Sequence, residues 1–184
     1  MHSEAPSLRF MLTGDLVRLR PVEPEDADAF YRWHNDEEVM RWLQAYFHES
    51  LASLRKRLAD RRENSHEKVT FCIETLEERK LIGVVTLRDA DPVNARAEVD
   101  IYIGEQEYWG GGYGTDALRT VCRYGFDTMR LHSIELGVVE ENTRAIRSYE
   151  KVGFQVDGRL RQSFFRDGKW HDSLLMCVLR DELT

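Results

Sequence analysis

Trp109-Gly110-Gly111-Gly112-Tyr113-Gly114-Thr115 is the stretch whose reading decides the fold: four glycines fall within five positions. Before it, Val99 and Ile101 alternate with Glu98 and Asp100, so 98–103 reads as a strand. After it, Leu118, Val121, Cys122, Gly125, Phe126 and Met129 recur at helical spacing. Glycines between a strand and a helix leave backbone N–H groups uncovered, and the helix N-terminus adds partial positive charge. Together they suit a pyrophosphate. A P-loop is excluded, because Gly114-Thr115-Asp116 carries no lysine. The run Gly112-Tyr113-Gly114-Thr115-Asp116-Ala117 matches the dinucleotide fingerprint G-x-G-x-x-A, and the acidic pair Glu140-Glu141 follows the next strand. Against that reading, 104–111 separates the strand from its glycines, and too little chain is left for a doubly wound sheet. On the loop alone, a dinucleotide site, a different pyrophosphate site and a plain glycine-rich turn all stand.

Toward the N-terminus, 15–20 alternates as a first strand that Pro21 ends. Pro24-Glu25-Asp26 opens a helix bearing Ala27, Phe30, Tyr31 and Trp33, which Asn35-Asp36 breaks. A short helix over 37–43 and another over 50–62 follow. Val69, Phe71 and Ile73 mark a second strand, 81–87 a third, and Asp91-Pro92 with Asn94 makes 88–96 a loop. Toward the C-terminus, Ile134, Leu136 and Val138 alternate as a fifth strand. Asp167-Gly168 is a two-residue hairpin turn, and the last strand runs to about Leu179. These elements predict one α/β domain with a mixed, mostly antiparallel sheet of about six to seven strands flanked by helices.

With 184 residues the chain suffices for one complete core and is short for two. A net charge of −7 without a basic block opposes a nucleic-acid partner. Arg55-Lys56-Arg57 with Arg61-Arg62 lies opposite Leu51, Leu54 and Leu58, as a solvated helix face does. Cys72, Cys122 and Cys177 sit in separate apolar runs without metal-ligand spacing. They read as buried, reduced thiols of a cytoplasmic protein that needs no metal. No apolar run reaches the ~18 residues of a membrane span. Residues 1–12 are expected to be a leader and 13–184 the domain.

A second motif resolves the glycine loop. Asn142-Thr143-Arg144-Ala145-Ile146-Arg147-Ser148-Tyr149-Glu150-Lys151-Val152-Gly153-Phe154 starts on a helix cap and closes on a glycine. It resembles the Asn-x-x-Ala-x-x-x-Tyr-x-Lys-x-Gly-Phe signature of the GCN5-related N-acetyltransferase (GNAT) superfamily. The glycine loop resembles that family's Gln/Arg-x-x-Gly-x-Gly/Ala motif, with Trp109 at its first position. Both motifs stand in the family's order, and the resemblance covers 16–179. Arg18-Leu19-Arg20-Pro21, Asn35-Asp36 and the final hairpin resemble the ribosomal-protein alanine acetyltransferase branch, with spermidine N-acetyltransferases as the near alternative.

The resemblance implies that the fourth and fifth strands splay apart, often at a bulge that Gly104 is placed to help. It implies acetyl-CoA as cosubstrate, with the pantetheine arm between those strands. The cofactor contacts implied are Tyr102, Ile103, Trp109, Gly110, Gly111, Gly112, Tyr113, Gly114, Thr115, Asn142 and Ser148.

Acetyl transfer requires a deprotonated amine, a stabilised oxyanion and a proton for the departing thiolate. In the family the tyrosine matching Tyr149 supplies that proton; on residues alone Tyr149 also fits a core position. Glu98 is the candidate base, Asp100 its substitute, and water can share the task. His132 and His171 have no metal-spaced or nucleophile-spaced partner and read as structural. Trp33, Trp42, Tyr46 and Phe47 read as packing, with 44–48 bordering the acceptor. The acceptor expected first is a protein or peptide N-terminus, then a polyamine or other small amine, which an acidic protein can steer. A non-catalytic acyl-CoA sensor is the reading from another class. The resemblance leaves a homodimer open, and neither nucleic acid nor membrane is an expected partner.

Overall fold

The computed structural model describes residues 12–43, 48–61 and 63–184. The expected leader, apart from Leu12, and the acceptor border at 44–47 lie outside the described residues. Leu12 accepts a hydrogen bond from the Leu19 amide and packs on the core.

Strand β1 (Val17–Pro21) buries Val17 and Leu19 and leads through a turn at Pro24–Asp26 into α1 (Ala27–His34). Helix α1 buries Ala27, Phe30 and Trp33 along one side. Asp36 caps the short α2 (Glu37–Met40) through the amides of Glu38 and Val39. Ser50 caps α3 (Leu51–Ala59), which buries Leu54 and Leu58. On the solvated face Arg55, Lys56 and Arg57 pair with Asp28, Asp60 and Glu49.

Strands β2 (Val69–Thr75), β3 (Leu81–Asp91) and β4 (Arg96–Ile103) form consecutive hairpins. The strand β3 is longer than its sequence suggests, since it continues past a kink at Asp89 (φ 53°) until Asp91 pairs with Arg96. The Asp91-Pro92 and Asn94 signals mark only the hairpin tip, where the Asp91 carboxylate accepts the Val93 and Asn94 amides. Buried Ala90 keeps the intervening chain on the sheet, at the cost of a register shift between Arg88 and Asp91.

Helix α4 (Tyr113–Asp127), β5 (Ser133–Val139), α5 (Thr143–Glu150), β6 (Gln155–Arg166) and β7 (Lys169–Leu179) complete the chain. Asp167 and Gly168 both take positive φ, at 52° and 75°, as a tight hairpin turn demands. The seven strands lie in the order β1-β2-β3-β4-β5-β7-β6.

Alternation along the strands sends side chains to two faces. Phe71, Ile73, Val85, Val99, Ile134 and Met176 share one core with α4 residues Leu118, Val121 and Phe126. Each such side chain contributes about 1.5–3 kcal/mol by leaving water. Cys72 and Val84, with Tyr102 packed against them, form a second core with α1–α3. The molecule is therefore three layers: α4 and α5 on one face, the insertion α1–α3 on the other.

All strand pairs are antiparallel except β4–β5. That parallel pair holds for three residues, from Arg96↔Ser133 to Glu98↔Glu135. Beyond it, β4 stays on β3 as far as Ile103 and β5 stays on β7 as far as Val139. The result is a wedge that opens through the sheet between the two layers of helices. The splay is as expected, but not its cause. Strand β4 has no register shift between Glu98 and Ile103, and Gly104 serves a different purpose. A Cβ on Gly104 would lie 2.1 Å from the Trp33 ring, so the glycine is what lets α1 press against the end of β4.

Candidate active site

The glycine loop crosses the mouth of the wedge. Gly110 and Gly112 adopt φ of 79° and 89°, a region where side chains are strained. Gly112 is the N-cap of α4, and the first helical bond runs from the Asp116 amide to the Gly112 carbonyl, 2.9 Å. The amides of residues 110–115 therefore precede the helical ladder, and among the described residues they donate to no backbone or side-chain acceptor. Six consecutive donors at the positive end of a 15-residue helix fit a pyrophosphate. What Gly110 through Thr115 present at this place is backbone donors rather than side chains.

Asp116 lies in the same first turn without spoiling this charge. Its buried carboxylate turns back to accept the amides of Asp15, Leu16 and Val17 at 2.8–3.1 Å. It pins the start of β1 to α4, a role the sequence reading missed.

Trp109 stands between the two helical layers. Its indole N–H donates to the Ile103 carbonyl at 2.8 Å, and the Arg144 guanidinium lies 3.8 Å over its ring. The side chain is therefore a wall, with no donor left for a ligand. Just upstream, Glu105 accepts from the Trp33 indole at 2.9 Å and pairs with Arg32. Gln106 donates to Asp36 at 2.8 Å. These contacts tie the donor loop to the insertion. The Tyr102 ring likewise enters the insertion core, edge-on to Trp33 with its hydroxyl 3.3 Å from His34 Nε2.

On the other bank of the wedge, Asn142 caps α5, its side chain accepting the Ala145 amide at 3.3 Å. Ser148 donates to the Arg144 carbonyl at 3.2 Å. Tyr149 is half-buried against Phe154, with ring centres 6.0 Å apart, and lies with Ala145 and Val152 on the core side. Its hydroxyl donates to no protein group among the described residues. Burial pushes its pKa up to about 12, and the negative charge of Asp100 adds to the effect.

The candidate base is more encumbered than its sequence suggests. Arg88 spans Glu98, Asp100 and Asp89 with one guanidinium. Burial raises the Glu98 carboxyl above its ordinary range, Arg88 opposes this, and the Asp100 charge reinforces it. Cys72 and Cys122 are fully buried and Cys177 only partly, so the expectation of three buried thiols holds for two. Burial raises all three pKa values, Cys177 to about 11, which leaves no thiolate to carry an acyl group.

A cluster that the sequence did not reveal closes the insertion side. His171 Nδ1 lies 2.9 Å from Glu141, and its ring stands edge-on to Trp42 at 5.6 Å. Trp42 also meets Phe164, and Arg166 donates to the Leu43 carbonyl at 2.7 Å. The hydrogen bond from His171 holds the Glu141 carboxyl below its ordinary range. The end of α2 thus reaches across the wedge to β6 and β7, joining two parts of the sheet that β4 and β5 leave apart. His171, which reads as structural in the sequence, has a carboxylate partner that no spacing rule could find. His132 is exposed at the turn before β5, as expected.

Residues 17–155 match the model of the acetyltransferase (GNAT) domain. Spermidine N(1)-acetyltransferase of Escherichia coli K12 is 33% identical over 172 residues, spanning 94% of this chain and 90% of that protein. The putative ribosomal N-acetyltransferase YdaF of Bacillus subtilis is 25% identical over 170 residues, 90% of this chain and 92% of its own length. Among solved structures, spermidine N-acetyltransferase from Vibrio cholerae in complex with CoA and spermine superposes with a TM-score of 0.79 at 28% identity, covering 90% of this chain and 96% of that one. A match running from β1 into β6, on a sheet splayed where coenzyme A needs room, makes this chain an N-acetyltransferase of the GNAT family that uses acetyl-CoA.

Proposed function

We propose that the enzyme acetylates a primary amine of a small, cationic, polyamine-like acceptor by direct attack on acetyl-CoA. The observation that carries this reading is the rim of the wedge on the insertion side. Glu98, Asp100 and Glu141 put carboxylates on this side, and the half-buried Trp42, with the Arg41 guanidinium over its ring, packs on the buried Phe164. Carboxylates pair with ammonium groups. The Escherichia coli relative named for spermidine and the Vibrio cholerae complex with spermine support the same class.

In this reading the amides of 110–115 hold the pyrophosphate, and the free edges of β4 and β5 flank the arm carrying the thioester. The acceptor ammonium gives its proton to Asp100 or Glu98, directly or through water. The neutral nitrogen then attacks the carbonyl carbon, an amide bond forms and the C–S bond breaks. Tyr149 donates its proton to the departing thiolate, and the surplus proton of the attacking nitrogen passes through water to restore Tyr149 as the amide forms. Glu98 is the first candidate and Asp100 its substitute, since one guanidinium, Arg88, holds both.

A protein or peptide N-terminus is the second reading, supported by the likeness to YdaF and by the exposed, paired rings of Phe165 and Trp170 on the outer hairpin. Thiol release from acetyl-CoA, followed over polyamines, small amines and peptides of varied first residue, separates the two. Polyamines should be preferred by at least about tenfold in kcat/KM, the scale of one well-made charged contact. A peptide preference of that size would reverse the order. Tight CoA binding with no turnover on any acceptor would favour the sensor instead.

A further inference from the structure

Helix α5 carries Tyr149 but has little of its own to hold it in place. It is eight residues long, too short to be stable by itself, and none of those residues is fully buried. Ala145, Ile146 and Tyr149 only lean on the core. Its position is therefore set at its ends. The first end is fixed locally: Asn142 caps it, and the Asn142 amide donates to the Val139 carbonyl at 2.9 Å. The far end is fixed by a segment remote in sequence, 180–184.

That segment takes up the carbonyls that α5 leaves open. The Thr184 hydroxyl donates to the Lys151 carbonyl at 2.9 Å, and the Thr184 amide to the Val152 carbonyl at 3.2 Å. Arg119 of α4 donates to the Thr184 main-chain oxygen and, at 3.5 Å, to the Lys151 carbonyl. Gly153 has a φ of 109°, and a Cβ there would lie 2.1 Å from the Glu182 carbonyl oxygen. Its glycine lets the segment lie flush against the end of the helix. Glu182 is itself locked, its carboxylate accepting the Leu179 amide at 2.9 Å and the Gln155 side chain at 2.7 Å. The turn after α5 passes this support on to Tyr149. The Val152 and Phe154 amides both donate to the Tyr149 carbonyl, at 2.9 and 3.1 Å, and the Phe154 ring packs on the Tyr149 ring. We infer that 180–184 is a brace that aims Tyr149, with Arg119, Gly153 and Thr184 as positioning residues. Without it α5 pivots on its Asn142 end, and Tyr149, near the far end, moves most. A misplacement of ~1 Å can cost about a hundredfold in rate. The inference rests on Tyr149 as the proton donor and adds what positions it.

The test is steady-state thiol release from acetyl-CoA with the best amine of the acceptor panel, with CoA calorimetry and thermal melting alongside. The full chain carries Gly153→Ala, Arg119→Ala, Arg119→Lys, Thr184→Val or Thr184→Ser, each alone and each combined with Tyr149→Phe. Gly153→Ala should lower kcat by about tenfold or more, and Arg119→Ala and Thr184→Val by about threefold, as fractions of the full misplacement effect. Arg119→Lys and Thr184→Ser should recover part of the loss, and CoA affinity should stay near the native value. In the Tyr149→Phe background the same substitutions should cost little, because contacts that act through one group are not additive. Thr184→Val removes a single hydroxyl bond, so the question stays answerable if Gly153→Ala does not fold. Native kcat in the brace variants, equal losses with and without the Tyr149 hydroxyl, or CoA affinity falling as far as kcat would each overturn the inference. Native kcat in Tyr149→Phe alone would overturn the proton-donor reading instead.

Discussion

The two sides of the wedge are built by different means. On the α4–α5 side the site is mostly backbone: the amides of 110–115, the Gly112 cap and the Asn142 cap. Each is set by residues adjacent in sequence. On the insertion side the site is mostly side chains, brought together from α2, β4, the end of β5, and the β6–β7 hairpin. The Arg166 contact with Leu43 spans 123 residues, and the Glu141 contact with His171 spans 30. A backbone cradle accepts one invariant group, the coenzyme. A side-chain rim can be rebuilt piece by piece for a new amine. The donor should therefore be a property of the fold and the acceptor a property of this chain.

Replacing Tyr149 is the severest test of how the sides meet, since in the proposed mechanism its hydroxyl would serve both. Tyr149→Phe should lower kcat by about a hundredfold, the lower range for a positioned general acid, with little change in KM for acetyl-CoA. Turnover within twofold of the native enzyme would remove Tyr149 from proton transfer. Gly112→Ala comes next. Its φ of 89° places a Cβ in a strained region, costing about 1 kcal/mol or more. KM for acetyl-CoA should rise roughly tenfold, with acceptor KM unchanged. An equal rise in both would break the division between the sides.

Trp42→Ala and Glu141→Gln probe the other side. Each should raise acceptor KM by roughly three- to tenfold, as expected for a partly exposed cation–π or charged contact. Donor KM should stay put, and a polyamine should suffer more than a monoamine. The smallest effect concerns pH. Tyr149 acts in its protonated form, and burial with the Asp100 charge pushes its pKa up to about 12. An acceptor amine with a pKa near ~10 must be deprotonated to react. kcat/KM should therefore climb through pH 7–9 and show no fall from Tyr149 below about 11. Asp100→Asn removes one cause of the upward shift, so any descending limb should move to lower pH. A descending limb near neutrality in the native enzyme would contradict the assignment.

The same division explains what the sequence could disclose. The glycine loop, the Asn142 cap and the Asp167-Gly168 turn depend on local backbone preferences, and each lies where its residues place it. The splay was implied by resemblance rather than by periodicity. The strand β3 overran its expected end because one buried alanine outweighed nearby turn formers. Gly104 shows the limit best. Its glycine character is plain in the sequence, but the reason is the ring of Trp33, 71 positions away (104 − 33). Glu98 illustrates the same limit for chemistry. Alternation correctly set it beside Asp100 on one face, yet only the folded chain reveals that Arg88 binds both. The His171–Glu141–Trp42 cluster has no local signature at all.

Amide hydrogen exchange, with and without CoA, tests the donor site most directly. CoA should slow exchange at residues 110–115, where six donors have no protein acceptor among the described residues, and along the edges of β4 and β5 beyond Glu98 and Glu135. The insertion rim at Trp42 and His171 should change only when acceptor is added. Protection at the insertion rim on CoA alone, with the 110–115 amides exchanging as before, would contradict the donor site described.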